Sequence, residues 1–414
     1  MANITVLQIT MHPFTLAGFF ILGLTMQHPK LFFVYLALLS MLGFLATDMY
    51  LPAFTAIQES LSTTANKVSA SLSLFLAGFC CAQLFWGPLS DKIGRRSVLC
   101  CGLALFTLSC LAVAWVSDAR VLLVLRFLQA TGVCAAAVCW QSLVLDHFPK
   151  EKAHKMFAAI MPLVALSPAL APLLGAWLIN HFDWQAIFLT LALLGGLLLV
   201  LTCYLIPAQR PSHTEDIKSL PYQQLLLQPT FIGNILIYAA CSASFFAWLT
   251  GSPFIMGQLG LTPSEIGLSY LPQTVTFLIG GFGCRALLNR FTGDQLLPWL
   301  LLVYCLSVLA LMIVGWWMTP SLTLLLVPFS LMAMSNGAIY PIVVSKALKV
   351  FPAHSGKAAS VQNFVQLGLC FIFSLWVSSH ISHVLTVTVT AMATTALLAF
   401  VGYFCQYSRT DSAD

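Results

Sequence analysis

The sequence predicts an all-α membrane protein of about twelve transmembrane helices, arranged as two pseudo-symmetric six-helix bundles. Three observations predict it. Of the 414 residues, 59% are hydrophobic and only 7% charged, with a mean hydropathy of +0.92. A soluble domain carries about 25% charged residues, so a surface this poor in charge must face lipid. The apolar residues fall in runs of about 20, the length that crosses roughly 30 Å of hydrocarbon. Two landmarks also recur at nearly one offset, Phe148-Pro149 as Phe351-Pro352 and Pro52 as Pro253. Such recurrence is expected of parallel six-helix repeats.

The twelve spans read as 31–53, 67–88, 97–116, 120–141, 156–180 and 185–206, then 229–250, 266–288, 296–317, 321–345, 358–380 and 383–405. The first six form a bundle over 31–206 and the last six a bundle over 229–405. The linker between them, 207–228, is the one long polar stretch and holds Arg210, His213, Glu215, Asp216 and Lys218. Residues 406–414 form a short tail and 1–30 an extension. Residues 1–25 carry no charge, and their apolar core, Phe14 to Leu24, is too short to span. A signal peptide would need a basic start, which is absent. Met26 directly precedes Gln27-His28-Pro29-Lys30 and the first span, so the expectation is translation from Met26, with a short re-entrant or interfacial segment as the rival.

Charge fixes the expected orientation. The even-numbered loops and both termini hold 15 of the 18 Lys and Arg residues, the odd-numbered loops only Lys67 and Arg120, and Arg126 lies within a span. This bias places both termini in the cytoplasm. The same scatter through short gaps, with no basic face, argues against a nucleic-acid partner despite the net charge of +5. The 13 cysteines lie mostly inside apolar runs, as Cys80-Cys81, Cys100-Cys101, Cys110 and Cys370 do, without CxxC or ligand spacing. They read as small buried thiols; no disulfide, metal or cofactor is expected.

Two constellations carry chemistry. Between the second and third spans stands Gly87-Pro88-Leu89-Ser90-Asp91-Lys92-Ile93-Gly94-Arg95-Arg96. Gly87 and Gly94 permit a tight turn and close helix approach. Asp91 can cap a helix start or pair with an arginine, and the cations pin the loop to the cytoplasmic face. The second constellation is a pair of charges in lipid, Asp48 in Ala46-Thr47-Asp48-Met49-Tyr50-Leu51-Pro52 and Arg126 in Val124-Leu125-Arg126-Phe127-Leu128-Gln129. Either charge costs about 2.5–3.5 kcal/mol at mid-membrane, so such residues are paired or functional. Counted from the outer ends of their spans they share a depth, and Asp48 is the only carboxylate within a span. Burial opposes its charge and a nearby arginine supports it. That competition suits a proton-coupling site, with a static structural ion pair as the alternative.

The loop resembles the pattern G-x-L-(A/S)-D-(R/K)-x-G-(R/K)-(R/K) of the major facilitator superfamily. The resemblance implies a conformational latch between the two halves for Gly87, Asp91, Gly94, Arg95 and Arg96. Arg126-Phe127-Leu128-Gln129 with Gly132 resembles the fourth-helix motif R-x-x-Q-G of proton antiporters, with Ala130 in place of the pattern's glycine. Ser167-Pro168-Ala169-Leu170-Ala171-Pro172-Leu173-Leu174-Gly175 resembles their fifth-helix motif, whose Gly-Pro positions appear here as Ala171-Pro172. Pro168, Pro172 and Gly175 are its key positions. Together with the segment around Asp48, these stretches are similar to the Bcr/CflA branch of drug:proton antiporters. Gly43-Phe44-Leu45-Ala46-Thr47-Asp48 and Tyr238 to Trp248 also resemble purine-nucleoside transporters of that branch. The resemblance implies a monomeric carrier of a small molecule and protons, resident in the bacterial inner membrane.

Remaining polar and aromatic side chains within spans are candidate substrate contacts: Tyr50, Gln129, Gln141, Tyr238, Trp248, Gln273, Asn336, Tyr340, Gln362, Asn363 and Gln366. Amides would hydrogen-bond and rings would stack on a neutral polar or aromatic molecule; taken singly, each serves equally as glue between helices. Six histidines, His147, His154, His181, His354, His380 and His383, fall at loops or helix ends. A nucleotide-driven pump would need a GxxxxGK[ST] loop, which is absent. A channel would not need a six-plus-six repeat. A membrane enzyme would need more reactive groups within the spans than Asp48 alone.

Overall fold

The structure, a computed structural model, describes residues 29–207, 222–351 and 355–406. The extension up to residue 28, linker residues 208–221, residues 352–354 and the tail from 407 lie outside the described residues, and with them the expectation of a start at Met26. Twelve long helices follow in order. The first half holds α1 (Pro29–Asp48), α2 (Ala65–Ile93), α3 (Arg95–Ala114), α4 (Ala119–His147), α5 (Lys150–His181) and α6 (Gln185–Leu205). The second half holds α7 (Pro229–Gln258), α8 (Pro263–Leu287), α9 (Gly293–Trp317), α10 (Leu322–Lys349), α11 (Ser355–Ser379) and α12 (Val384–Cys405). Eleven of these are long and apolar enough to cross a membrane. The exception, α8, has 25 residues but buries Ser269, Tyr270, Gln273 and Thr274. It packs on α5 and α10, and protein rather than lipid covers its polar side.

The two halves repeat each other's contacts. In the first, α2 packs on α4, α3 on α4 and α6, and α1 on α4, α5 and α6; adding six to every label gives the packing of the second. Between the halves α2 meets α11 and α5 meets α8, again related by six. Side chains follow the same pattern. Phe148 meets Phe32 at 5.8 Å and Phe351 meets Phe231 at 5.2 Å. Arg95 pairs with Asp146 at the α3–α4 corner, and Lys346 with Asp294 at the α9–α10 corner, with the signs exchanged. Small residues allow the tightest crossings: a Cβ at Gly78 would overlap the Phe127 carbonyl on α4, and one at Gly280 the Met334 carbonyl on α10.

The landmark prolines behave differently. Pro253 stays inside a continuous α7, whereas α1 stops at Asp48 and Pro52 falls in a 3-10 turn, Leu51–Ala53, before a short helix, Phe54–Ser60. The cause is local. Pro52 has no N–H to give the Asp48 carbonyl, and its ring disfavours helical geometry at Leu51. The helical path nevertheless runs on to Ser60, so Asp48 lies deeper than a span ending at residue 53 would place it.

The halves are joined at one end, where odd-numbered helices finish and even-numbered ones begin. Asn66 donates to the Ser379 carbonyl (3.0 Å), Ser69 to that of Thr250 (3.3 Å), and Ser73 and Ser374 share a bond of 2.7 Å. Asn180 bonds Ser264, and Phe54 meets Phe254 at 5.5 Å. The Cys80 thiol also reaches the Phe364 carbonyl across the seam (3.4 Å). The Gly280 crossing is expected to tolerate no side chain. Gly280→Ala should cost about 1–3 kcal/mol of stability and lower the melting temperature in detergent. Gly283→Ala, with nothing within 4 Å of the added carbon, should leave it unchanged.

Candidate functional site

The break in α1 builds the site. The last helical bond is Met49 N–H to the Leu45 carbonyl (3.1 Å), so the Ala46 carbonyl has no helical partner. Arg126 on α4, fully buried at 0% exposure, donates Nη1 to it at 3.1 Å and to Gln129 Oε1. Gln129 in turn donates to the Cys110 thiol (2.9 Å). Arg126 Nε and Nη2 have no hydrogen-bond partner; instead its guanidinium lies 4.0 Å from the Tyr50 ring centroid and 4.3 Å from that of Phe75, with Phe188 at 5.8 Å. A desolvated cation over aromatic faces gains about 2 kcal/mol, which offsets part of its burial.

Asp48, 4% exposed, is the only buried acid among the described side chains. It makes no ion pair with Arg126: the two pairs found among the described residues are Arg95–Asp146 and Lys346–Asp294. It stands at the C-terminal end of α1, where the helix dipole opposes a negative charge, and within electrostatic reach of Arg126. Depth matching therefore appears as contact between Arg126 and the α1 backbone two residues before Asp48.

Motif residues of α5 close this site. Pro168 and Pro172 lie inside α5, and Gly175 lies so close to the Met49 carbonyl that any Cβ would overlap it. On its other side α5 meets α8, where a Cβ at Gly267 would fall 2.9 Å from Ala176 and 3.1 Å from the Pro172 carbonyl. The loop motif is more than a loop. Helix α2 runs through Pro88 to Ile93, and Gly94 alone, at φ 87°, makes the turn into α3, a conformation that suits glycine. Arg95 pairs with Asp146 on α4, and Arg96 donates to the Cys203 carbonyl on α6 (3.0 Å). Both bonds stay within the first half. The Asp91 side chain lies outside the described residues. Gly87 makes no close helix approach here, since nothing lies within 4 Å of a Cβ added to it; the expected crowding is absent because this end of α2 lies away from the joined end.

Of the other candidates, the structure gathers those of the second half. Tyr238 meets Tyr340 edge to face at 4.9 Å, and Phe277 lies 5.9 Å from Tyr340. Ser242 donates to the Tyr340 hydroxyl (3.1 Å) and receives from Gln366 Nε2 (3.1 Å). Asn336 donates to the Cys241 carbonyl (3.3 Å). Tyr238, Tyr340, Asn363 and Gln366 are half-buried, on the open side of the seam at Thr250. Trp248 is elsewhere, stacked on Phe329 at 4.6 Å in the interior of its half. Gln273 and Gln362 are buried, each with an unpartnered Oε1, and Gln141 is exposed. Tyr50 and Gln129 serve Arg126. Sequence reasoning missed Phe75 and Phe188, which resemble any lipid-facing phenylalanine. It also missed Ser242 and Phe277, for which neighbouring Tyr238 was the only signal.

Repeated six-helix halves that meet at one end, with one buried acid at a helix break, define a multi-pass membrane transporter. The chain belongs to the major facilitator superfamily, whose family model matches residues 36–374. It is 25% identical over 391 residues to a bicyclomycin resistance protein homologue of Haemophilus influenzae, covering 92% of this chain and 96% of that one. It is 29% identical over 318 residues to the multidrug resistance protein MdtM of Escherichia coli strain K12, covering 72% and 74%. These relatives fit the drug:proton antiporter branch. The fold is also that of a bacterial homologue of the lysosomal transporter Spinster in an inward-facing, occupied conformation, with TM-score 0.72 at 16% identity over 92% of this chain and 96% of that one. A D-xylose–proton symporter gives 0.71 at 16% identity over 89% and 96%. Fold and relatives alike are transporters, not enzymes.

Gly175→Ala should separate α5 from the α1 break and lower transport at least about tenfold, the equivalent of 1.4 kcal/mol, while leaving the protein in the membrane. Uptake assays in vesicles, normalised to protein amount, would check this.

Proposed function

We propose that the protein is a proton-coupled efflux antiporter that moves a small drug-like or nucleoside-like molecule across the bacterial inner membrane by alternating access. The observation that carries this reading is Asp48, the only buried acid among the described side chains, at a break in α1 beside Arg126 and the joined end of the halves. A carboxyl group there can exchange its proton only when one end opens, which ties proton movement to the conformational cycle. With the Lys and Arg bias facing the cytoplasm, the joined end is extracellular and this conformation opens inward. The relatives' names, which include bicyclomycin, chloramphenicol and multidrug resistance, support export of drug-like cargo.

The loop motif acts in the opposite conformation. In this state Arg95 and Arg96 are held within the first half; when the cytoplasmic ends approach, Asp91 and Arg95 latch the halves together. Asp91→Asn, which keeps shape and removes charge, should cut transport about tenfold or more, since a charge-assisted bond is worth about 1.5–3 kcal/mol. Vesicle transport rates at equal protein would test it; unchanged rates would remove the latch.

A second reading, transport of purine nucleosides, or a proton symporter rather than an antiporter, is favoured by one observation. The Tyr238, Ser242, Tyr340 and Gln366 cluster is neutral, with rings to stack and amide and hydroxyl groups to bond a heteroaromatic edge. A thermal-shift screen in detergent comparing nucleosides with drugs separates the two, because only a bound ligand raises the unfolding temperature.

The coupling test is accumulation in proteoliposomes under an imposed pH gradient. Asp48→Asn should abolish proton-driven accumulation while gradient-free exchange survives. Accumulation by this variant with the wild-type pH dependence would make Asp48 structural and send the proton elsewhere.

A further inference from the structure

The cysteines read from the sequence as small buried thiols, but two of them stand together near a surface. Cys100 on α3 is half-buried and Cys203 on α6 exposed, and their sulfurs lie 3.6 Å apart. Close antiparallel packing of the two helices brings them there. A Cβ at Gly195 of α6 would fall 2.7 Å from the Phe106 ring and from Thr107 Oγ1 of α3, and the thiol pair follows about two turns further along both helices. Arg96, one turn before Cys100, donates Nη2 to the Cys203 carbonyl at 3.0 Å and so fixes the backbone at this point.

Their depth makes them reachable. Cys100 lies less than two turns from the start of α3 and Cys203 less than one from the end of α6, at the end of the first half away from the seam. A guanidinium keeps to the polar boundary of a membrane, so its bond to Arg96 puts Cys203 at that boundary. The Lys and Arg bias gives this end to the cytoplasm. Cys81 and Cys101 are exposed too, but neither has a second thiol in hydrogen-bond contact among the described residues. Cys101 follows Cys100 on α3, where successive side chains point in different directions.

We infer that Cys100 and Cys203 form a modification site, a dithiol that a hydroperoxide converts reversibly to a disulfide. Cys203, the exposed thiol, reacts first. Its sulfur attacks hydrogen peroxide, the O–O bond breaks, and a sulfenic acid and one water result. The Cys100 sulfur then attacks the Cys203 sulfur, the S–OH bond breaks, and a second water leaves as the S–S bond forms. The two sulfurs together lose two electrons, the peroxide gains them, and both thiol protons leave in the waters. Disulfide sulfurs stand about 2.05 Å apart, so the pair must close by about 1.5 Å, the scale of a side-chain rotation. A reducing cytoplasm restores the thiols by exchange. The bond staples the end of α6, which leads toward the linker between the halves, to the segment that follows the loop motif. It involves neither Asp48 nor cargo and stands apart from the coupling reading.

The probe is hydrogen peroxide, applied to the full-length protein in membranes. Remaining thiols are blocked with N-ethylmaleimide, and unreduced peptides are analysed by mass spectrometry. A linked Cys100–Cys203 pair should appear and be split by dithiothreitol. In Cys100→Ser the sulfenic acid has no resolving thiol, so dimedone should tag Cys203. In Cys203→Ser the linked pair is lost and Cys100 should stay free for alkylation. Should either variant fail to accumulate, dimedone added to the wild type during oxidation should tag Cys203 and lower the yield of the linked pair. Absence of the linked pair overturns the inference. So does linkage of Cys203 to Cys101 as readily as to Cys100, or tagging of Cys100 in preference to Cys203.

Discussion

A backbone carbonyl left without a partner in hydrocarbon costs several kcal/mol, and the break in α1 creates this problem at the depth of Asp48. Pro52 ends the helix, and the Ala46 carbonyl is released from its helical bond. Arg126 fills that vacant role with Nη1. To do so it must lie buried, which requires the Tyr50 and Phe75 faces against its guanidinium and Gln129 at its edge. The Met49 carbonyl, one step further, lies under Gly175 of α5. The proline, the arginine and the glycine are thus parts of one solution to one backbone defect, and Asp48 is carried within it.

That defect also divides labour between halves that otherwise repeat each other. The equivalent landmark in the second half, Pro253, leaves α7 unbroken. No buried charge is found there among the described side chains; tyrosines, amides and hydroxyls occupy the corresponding interior. The first half therefore holds the buried charges, Asp48 and Arg126, and the second a neutral cluster.

Much of the fold was legible because lipid imposes length. Runs of about 20 apolar residues set the helices, and the recurrence of Phe148-Pro149 as Phe351-Pro352 belongs to a repeat that the structure also shows in matching ring contacts, Phe148 with Phe32 and Phe351 with Phe231. Helix limits were less legible, since α2 and α7 continue past their apolar windows to Ile93 and Gln258, where water and protein satisfy their ends. In the candidate site, Asp48 and Arg126 stood out because charge is conspicuous in such a sequence, and Gly175 through the resemblance to the fifth-helix motif. Phe75 and Phe188 did not, because an aromatic residue in a hydrophobic run looks the same whether it faces lipid or a guanidinium. The Gly87 reading went astray because glycine marks where contact is permitted, and the contact need not exist in every conformation.

Charge is distributed according to what must stay and what must part. The ion pairs, Arg95–Asp146 and Lys346–Asp294, each lie inside one half. The bonds that cross between halves are neutral: Ser69 to Thr250, Ser73 to Ser374, Asn66 to Ser379 and Asn180 to Ser264. The ion pairs are exposed and worth no more than about 1 kcal/mol each, and a neutral hydrogen bond about 0.5–1.5 kcal/mol net, so the two sets differ in charge and not in strength. A seam of hydroxyls and amides can thus part and rejoin without a large barrier from any single contact. The occupancy of each state can then be decided by small differences.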